Sequence, residues 1–376
     1  MSVFTVFFCG TGSNSFDTQN KNYPKGEIIS TLASHHKGSE FVDWLACDGP
    51  GSGNLQEDEK WVVPGNYSQL RGTLTGAGWV ENVNHAIAVL KCELEWKRVQ
   101  LTKQEYDKLK SAKVPIEDAK EGGSWYWRTY DYPNRKITPQ DLQLQKAKIF
   151  RKGKAPSKVN IIGWSRGGVS CHMLANAMAK DSALSGIPVN IFAIDPVPGT
   201  GNFQKERCSL PGNVKNYVAV YARDERSKGF APIVPKCASA TKVLILPFPG
   251  RHATVAGNGA VDGAEGAQAL PQPGALVRGL AEKFLAEWGT QLDKRSSFGK
   301  DVIVKMYEAM ADDADKYQTL RTKVYTTTEN SNGERYIGLG EAGKGAAFSA
   351  AKDDGWDAPK GLAMSDEEVC KFLTEL

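Results

Sequence analysis

Apolar runs of strand length recur along the chain, and the stretches between them alternate between helical periodicity and polar loops. The clearest runs are residues 3–9, 158–163, 188–194, 214–221 and 242–247, rich in Val, Ile and Phe. Near-continuous apolar runs of this length are expected of strands covered on both faces, as in a parallel sheet. Between the second and third, residues 168–183 are small and apolar, suited to a helix packed on that sheet. Strand, helix, strand in this order predicts a right-handed crossover between parallel neighbours. The pattern therefore predicts an α/β fold.

Two stretches break the rhythm. Residues 93–154 are dense in Lys, Glu and Gln and hold Trp125, Tyr126, Trp127, Tyr130 and Tyr132; they read as a partly helical insertion, a cap or lid over the sheet. Beyond residue 290, an amphipathic stretch (302–322) leads into a Gly- and polar-rich tail (326–358) and a last helix opened by Ser365, with Glu367 and Glu368 in its first turn. The expected organisation is thus a core in two parts, 1–92 and 155–290, an insertion at 93–154 and a helical C-terminal extension at 291–376.

Composition narrows the function classes. With 41% hydrophobic and 24% charged residues in 376, the chain can bury one large core. A net charge of +4 over 47 basic and 43 acidic residues is too balanced for a nucleic-acid surface, though compatible with weak attraction to anionic lipid. The seven cysteines are scattered with no CxxC pair, which argues for small buried hydrophobes rather than a disulfide framework or zinc site. No apolar run approaches the roughly 18 residues of a membrane span, and no basic segment precedes residues 3–9. A soluble chain made in the cytoplasm without a cleaved signal is expected.

The sharpest chemical motif is Gly163-Trp164-Ser165-Arg166-Gly167-Gly168, directly after a strand and before a helix. A nucleophile on so tight a turn sits in a strained backbone conformation, and glycines two residues either side remove the Cβ atoms that would clash. The turn lifts the Ser165 hydroxyl above the sheet edge and aims a helix N-terminus at it, where N–H groups can hold an oxyanion.

A serine needs a base, and only His172 and His252 follow Ser165. His172 lies two helical turns on, about 10 Å away, and reads as a packing residue. His252 ends a strand-and-turn stretch, Pro247-Phe248-Pro249-Gly250-Arg251-His252, where the base belongs in the order Ser, acid, His. Two aspartates compete for the acid. Asp195 closes the strand next to that of the nucleophile, and Asp224 follows the strand beyond it; the usual position favours Asp224, with Asp195 the alternative and Glu225 third. The second oxyanion donor is expected from Cys9-Gly10-Thr11-Gly12-Ser13-Asn14, with Thr11 or Gly12 acting beside the N–H of Arg166. A further glycine loop, residues 47–54, borders the same cleft, orders a plain turn, or holds a cation through Asp48.

Taken in order, Phe8 to Asn14, the Gly163 to Gly167 elbow, Asp224-Glu225-Arg226 and Pro247 to His252 resemble the blocks of bacterial α/β-hydrolases that include type VI secretion lipase effectors. The Ser-Arg-Gly of the elbow and the Phe-Pro-Gly-x-His before the base carry the resemblance, which spans roughly residues 1–257. After His252 the chain departs from the family pattern, running Ala253-Thr254-Val255-Ala256-Gly257 without the usual Asp and glycines. The resemblance implies an α/β-hydrolase with a mostly parallel sheet acting as a lipase or phospholipase. Ser165, His252 and an acid imply acyl transfer from a lipid or other ester without metal or organic cofactor. The alternatives are an esterase or amidase on a small soluble substrate, or a binding protein on an inactive hydrolase scaffold. The resemblance also implies delivery into a target cell, with an immunity protein or a secretion-system component as partner and transient contact with a membrane. Trp125, Trp127 and Tyr130, whose amphipathic rings suit a lipid interface, are the expected substrate-facing residues of the insertion, the alternative being that they pack on the sheet as a satellite core.

Overall fold

The computed structural model describes residues 2–15, 17–20, 22–52, 76, 78–92, 120–124, 127–131, 151, 154–260, 269–296, 298–322, 334–339, 344–347 and 364–376. Six strands form one sheet: β1 (Val3–Phe8), β2 (Trp44–Cys47), β3 (Lys158–Trp164), β4 (Val189–Ile194), β5 (Val214–Ala222) and β6 (Lys242–Phe248). Their order is β6-β5-β4-β3-β1-β2, and every pairing is parallel. The five long strands follow the apolar runs to within about a residue, whereas the four-residue β2 lacks a run of its own.

Helices cover both faces: α1 (Ile28–Ser34), α2 (Trp79–Lys91), α3 (Arg166–Lys180), α4 (Gln272–Glu287), α5 (Lys300–Asp312), α6 (Ala314–Leu320) and α7 (Asp366–Glu375). Strand side chains alternate between two cores, as a period of two requires. Phe4, Val6, Ile161, Ile191 and Tyr217 join α2 and α3 on one face. Phe7, Ile162, Phe192 and Val218 join α1, α4, α5 and α7 on the other. Five of the seven cysteines are buried.

At the strand ends where β1 and β3 to β5 begin, the second face carries a polar row. Thr5, Asn160, Asn190 and Asn216 are register partners on successive strands. Asn216 Nδ2 donates to Asn190 Oδ1 at 2.7 Å, Asn190 Nδ2 to Asn160 Oδ1 at 2.9 Å, and Asn160 Nδ2 to Thr290 Oγ1 at 2.9 Å. Thr290 Oγ1 in turn meets Thr5 Oγ1 at 2.9 Å. Side-chain bonds thereby join each strand of the row to the next or to Thr290, which fixes the register.

The expected amphipathic stretch at 302–322 is broken into α5 and α6 by Asp313, which ends one helix and starts the next with φ −92° and ψ 12°. Ser365 opens α7 through a reciprocal capping box with Glu368, as the sequence predicts. Of the expected insertion, an antiparallel ribbon is described, Lys120–Ser124 with Trp127–Asp131, as backbone alone. Trp125 and the side chains of Trp127 and Tyr130 lie outside the described residues, as does most of the polar tail. Among the described residues no helix is long and apolar enough to cross a membrane.

Candidate active site

At the C-terminal end of β3 the chain turns through Ser165 straight into α3. Ser165 has φ 57° and ψ −129°, a conformation L-residues adopt only under constraint. Its N–H continues the sheet to Ile194 O at 3.0 Å, and its own carbonyl accepts from Val169 and Val197. A Cβ on Gly163 would strike the backbone of Gly167, and one on Gly167 would strike the carbonyl of Phe8. Both glycines of the motif are therefore demanded by backbone packing around the serine. Strand, serine elbow and helix on a parallel sheet are the α/β-hydrolase arrangement.

His252 lies in the turn after β6 and is 5% exposed. Its ring packs on Trp164, the residue before Ser165, with centroids 4.9 Å apart, and edge-on against Phe230 at 5.2 Å. Trp164 is in turn seated on Gly10, where any Cβ would enter the indole. The base candidate, the elbow and the loop after β1 are thus packed as one unit.

The carboxylate beside His252 is that of Asp195, and not that of Asp224, which strand order favours. Asp195 Oδ2 lies 2.6 Å from His252 Nδ1, and the carboxyl is fully buried. Asp195 follows β4 with φ 41° and donates its N–H to Val220 O, a bend that turns its side chain across the sheet edge. Asp224 is occupied elsewhere: Oδ2 accepts from Gly250 N and Oδ1 from Arg321 Nε, both at 2.7 Å. It braces the turn leading to His252 from outside. Glu225 supports the same turn, accepting from Arg251 Nε at 3.2 Å, from His252 N at 3.4 Å and from Ser227 N at 2.7 Å.

A residue that sequence reading passed over completes this cluster. Arg335, in the C-terminal extension and 3% exposed, places Nη1 2.6 Å from Asp195 Oδ1 and Nη2 2.9 Å from Oδ2. Burial alone would raise the Asp195 carboxyl pKa, but the charge of Arg335 and the hydrogen bond to His252 outweigh it and hold the group below its ordinary value. Burial likewise pushes Glu225 up, and Arg251 and Arg335 bring it below the usual carboxylate range. No motif marks Arg335, because its partner is 140 residues away.

The loop after β1 has the close backbone packing its glycines suggest. Gly12 N donates to Pro50 O at 3.1 Å and Gly49 N to Ser13 O at 2.8 Å, so the loops after β1 and β2 are stitched together. A Cβ on Gly49 would overlap the Gly10 carbonyl. Gly12 therefore has its N–H committed to Pro50, and Thr11 is the residue of this loop tied to the elbow: its Oγ1 accepts from Arg166 Nη1 at 3.1 Å. Asp48 orders the same region, its Oδ1 accepting from Ser15 N at 2.8 Å. Among the described residues no cluster of three His, Cys, Asp or Glu could hold a metal ion. His172 is a packing residue inside α3, with Nδ1 2.7 Å from Arg207 O and Nε2 3.1 Å from Tyr217 Oη.

No protein-family model and no curated protein matches the chain. Among solved structures, an uncharacterized protein from Pseudomonas aeruginosa is similar with a TM-score of 0.44 and 16% identity, over 84% of this chain and 50% of its own. The Tle1 effector bound to the VgrG spike from the Type 6 secretion system is similar with a TM-score of 0.32 and 14% identity, over 71% of this chain and 51% of its own. The chain spans about half the length of each of these structures.

Proposed function

We propose that this protein is a serine-dependent ester hydrolase working through an acyl-enzyme, with Ser165 as nucleophile, His252 as base and Asp195 as the acid. The observation that carries the reading is the strained Ser165 elbow packed, through Trp164, against an imidazole whose Nδ1 meets a buried carboxylate at 2.6 Å. Donation of Nδ1–H to Asp195 fixes the tautomer and leaves Nε2 to take the Ser165 proton as the hydroxyl attacks an ester carbonyl. The imidazolium that forms is stabilised by Asp195 and then protonates the leaving alcohol. The oxyanion is assigned to the backbone N–H groups of Arg166, first in α3, and of Thr11. Water activated by His252 releases the acid.

The substrate we assign is a lipid acyl ester, the enzyme being delivered to a target cell through a secretion system. This finer reading is supported by the ordered sequence blocks around Gly10, Ser165, Asp224 and His252. It carries with it a secretion-system component and an immunity protein as partners, and transient membrane contact. The test is turnover of purified protein on phosphatidylglycerol and phosphatidylethanolamine vesicles, tributyrin and a short p-nitrophenyl ester, with Ser165→Ala in parallel. Asp195→Asn should lower turnover by roughly 10,000-fold, and Asp224→Asn far less. Hydrolysis of the soluble ester alone would remove the lipid assignment. The reverse ranking of the two aspartates would return the acid to Asp224.

A further inference from the structure

Three groups complete the hydrogen bonding of the Asp195 carboxylate. Oδ2 meets His252 Nδ1 at 2.6 Å and Arg335 Nη2 at 2.9 Å; Oδ1 meets Arg335 Nη1 at 2.6 Å and Ala222 N at 3.1 Å. The guanidinium is itself anchored: Nη1 also donates to Ala222 O at 2.6 Å and Nη2 to Phe230 O at 2.7 Å. Ala222 ends β5, and the Phe230 ring packs on His252. Arg335 therefore joins the acid, the strand end beside it and the segment flanking the imidazole. The segment that carries it is docked, not loose: Ile337 is fully buried, Gly338 N donates to Pro232 O at 2.8 Å, and a Cβ on Gly338 would enter the Phe203 ring.

We propose that Arg335 is a positioning residue of this site: its bidentate contact locks the Asp195 carboxylate in the rotamer that aims Oδ2 at His252 Nδ1. The inference rests on the hydrolase reading above. A planar guanidinium matched to both carboxylate oxygens fixes orientation as well as charge, which an ammonium cannot do. Behind the imidazole stand two carboxylates, Asp195 and Glu225, and two guanidinium groups, Arg335 and Arg251. Removing Arg335 leaves Asp195 free to turn from Nδ1.

The experiment combines turnover of a short p-nitrophenyl ester with NMR of the His252 Nδ1–H proton, whose downfield resonance reads its hydrogen bond to Asp195, in wild type, Arg335→Ala, Arg335→Lys and Ser165→Ala. Arg335→Ala should lose roughly 10- to 100-fold in kcat, the scale of removing the group that orients an imidazole's partner, and its Nδ1–H resonance should lose the downfield position. Arg335→Lys, which keeps the charge and loses the fork, should fall in kcat as well. Millimolar guanidinium should restore Arg335→Ala, and urea, of similar shape but neutral, should not. An unmoved Nδ1–H resonance in Arg335→Ala, or loss of the fold in both Arg335 variants, would reduce Arg335 to a structural partner and overturn the inference. Turnover that persists in Ser165→Ala would instead sink the hydrolase reading, while the Nδ1–H resonance would still decide the role of Arg335.

Discussion

Ser165 is held where only glycine sits at ease, so its conformational cost is separable from its chemistry. Replacing it by glycine relieves backbone strain of order 1–3 kcal/mol against an entropic loss of about 0.5–1 kcal/mol. Ser165→Gly should therefore be about 1 kcal/mol more stable than Ser165→Ala, with both devoid of ester turnover. A melting temperature of the glycine variant at or below that of the alanine variant would show that the elbow carries no such strain. His172 offers a second test. Burial pushes its pKa from 6.5 down to about 4, so the unfolded chain binds the proton more readily. Its contribution to stability is full above pH 6.5 and is lost as pH falls toward 4, on the order of 3 kcal/mol in all. Burial of Glu27 acts oppositely, raising it from 4.5 to about 7, so stability from this group falls as pH rises through that window. The difference between wild type and His172→Gln isolates the histidine: the variant should lose less stability between pH 6.5 and 4, and equal losses would refute the assignment. At this scale the strained turn at Ser165 and the place of His252 beside it were legible because glycine spacing and chain order constrain them locally. Which carboxylate meets His252 was not, because two aspartates follow neighbouring strands and the choice depends on a backbone bend at Asp195 and on arginines distant in sequence.

The polar row of Thr5, Asn160, Asn190 and Asn216 is where element pairing can be tested. Asn190 both donates and accepts along the row. Asn190→Ala leaves the Asn160 carbonyl and the Asn216 amide without those partners inside the second core, at about 2 kcal/mol. Urea denaturation should show the midpoint falling with little change in slope, and a loss under about 0.5 kcal/mol would mean that water answers these amides. The long strands themselves could be read from the sequence because each is covered on both faces and so is apolar along its length. At β2 the signal fails, since Trp44–Cys47 is only four residues at the sheet edge. The division of α5 from α6 was hidden for a different reason: amphipathic periodicity runs through Asp313, and only its backbone shows the break.

On the scale of the whole molecule, among the described residues the C-terminal extension is tied to the loops at the candidate-site edge by three ion pairs. Arg335 meets Asp195, Arg321 meets Asp224, and Arg223 meets Asp366 at 2.7 Å. The extension read from sequence as an appendage is thus joined to the loops behind the candidate acid. A temporal consequence follows. The ribosome adds Arg335 140 residues after Asp195, roughly 10 to 30 s later at ordinary elongation rates. Until then the carboxylate has no guanidinium to meet it, and the cost of sealing an unanswered charge holds the edge between β4 and β5 open to water. A nascent chain stalled short of residue 335 should therefore turn over ester no faster than Arg335→Ala, even though it already contains Ser165 and His252.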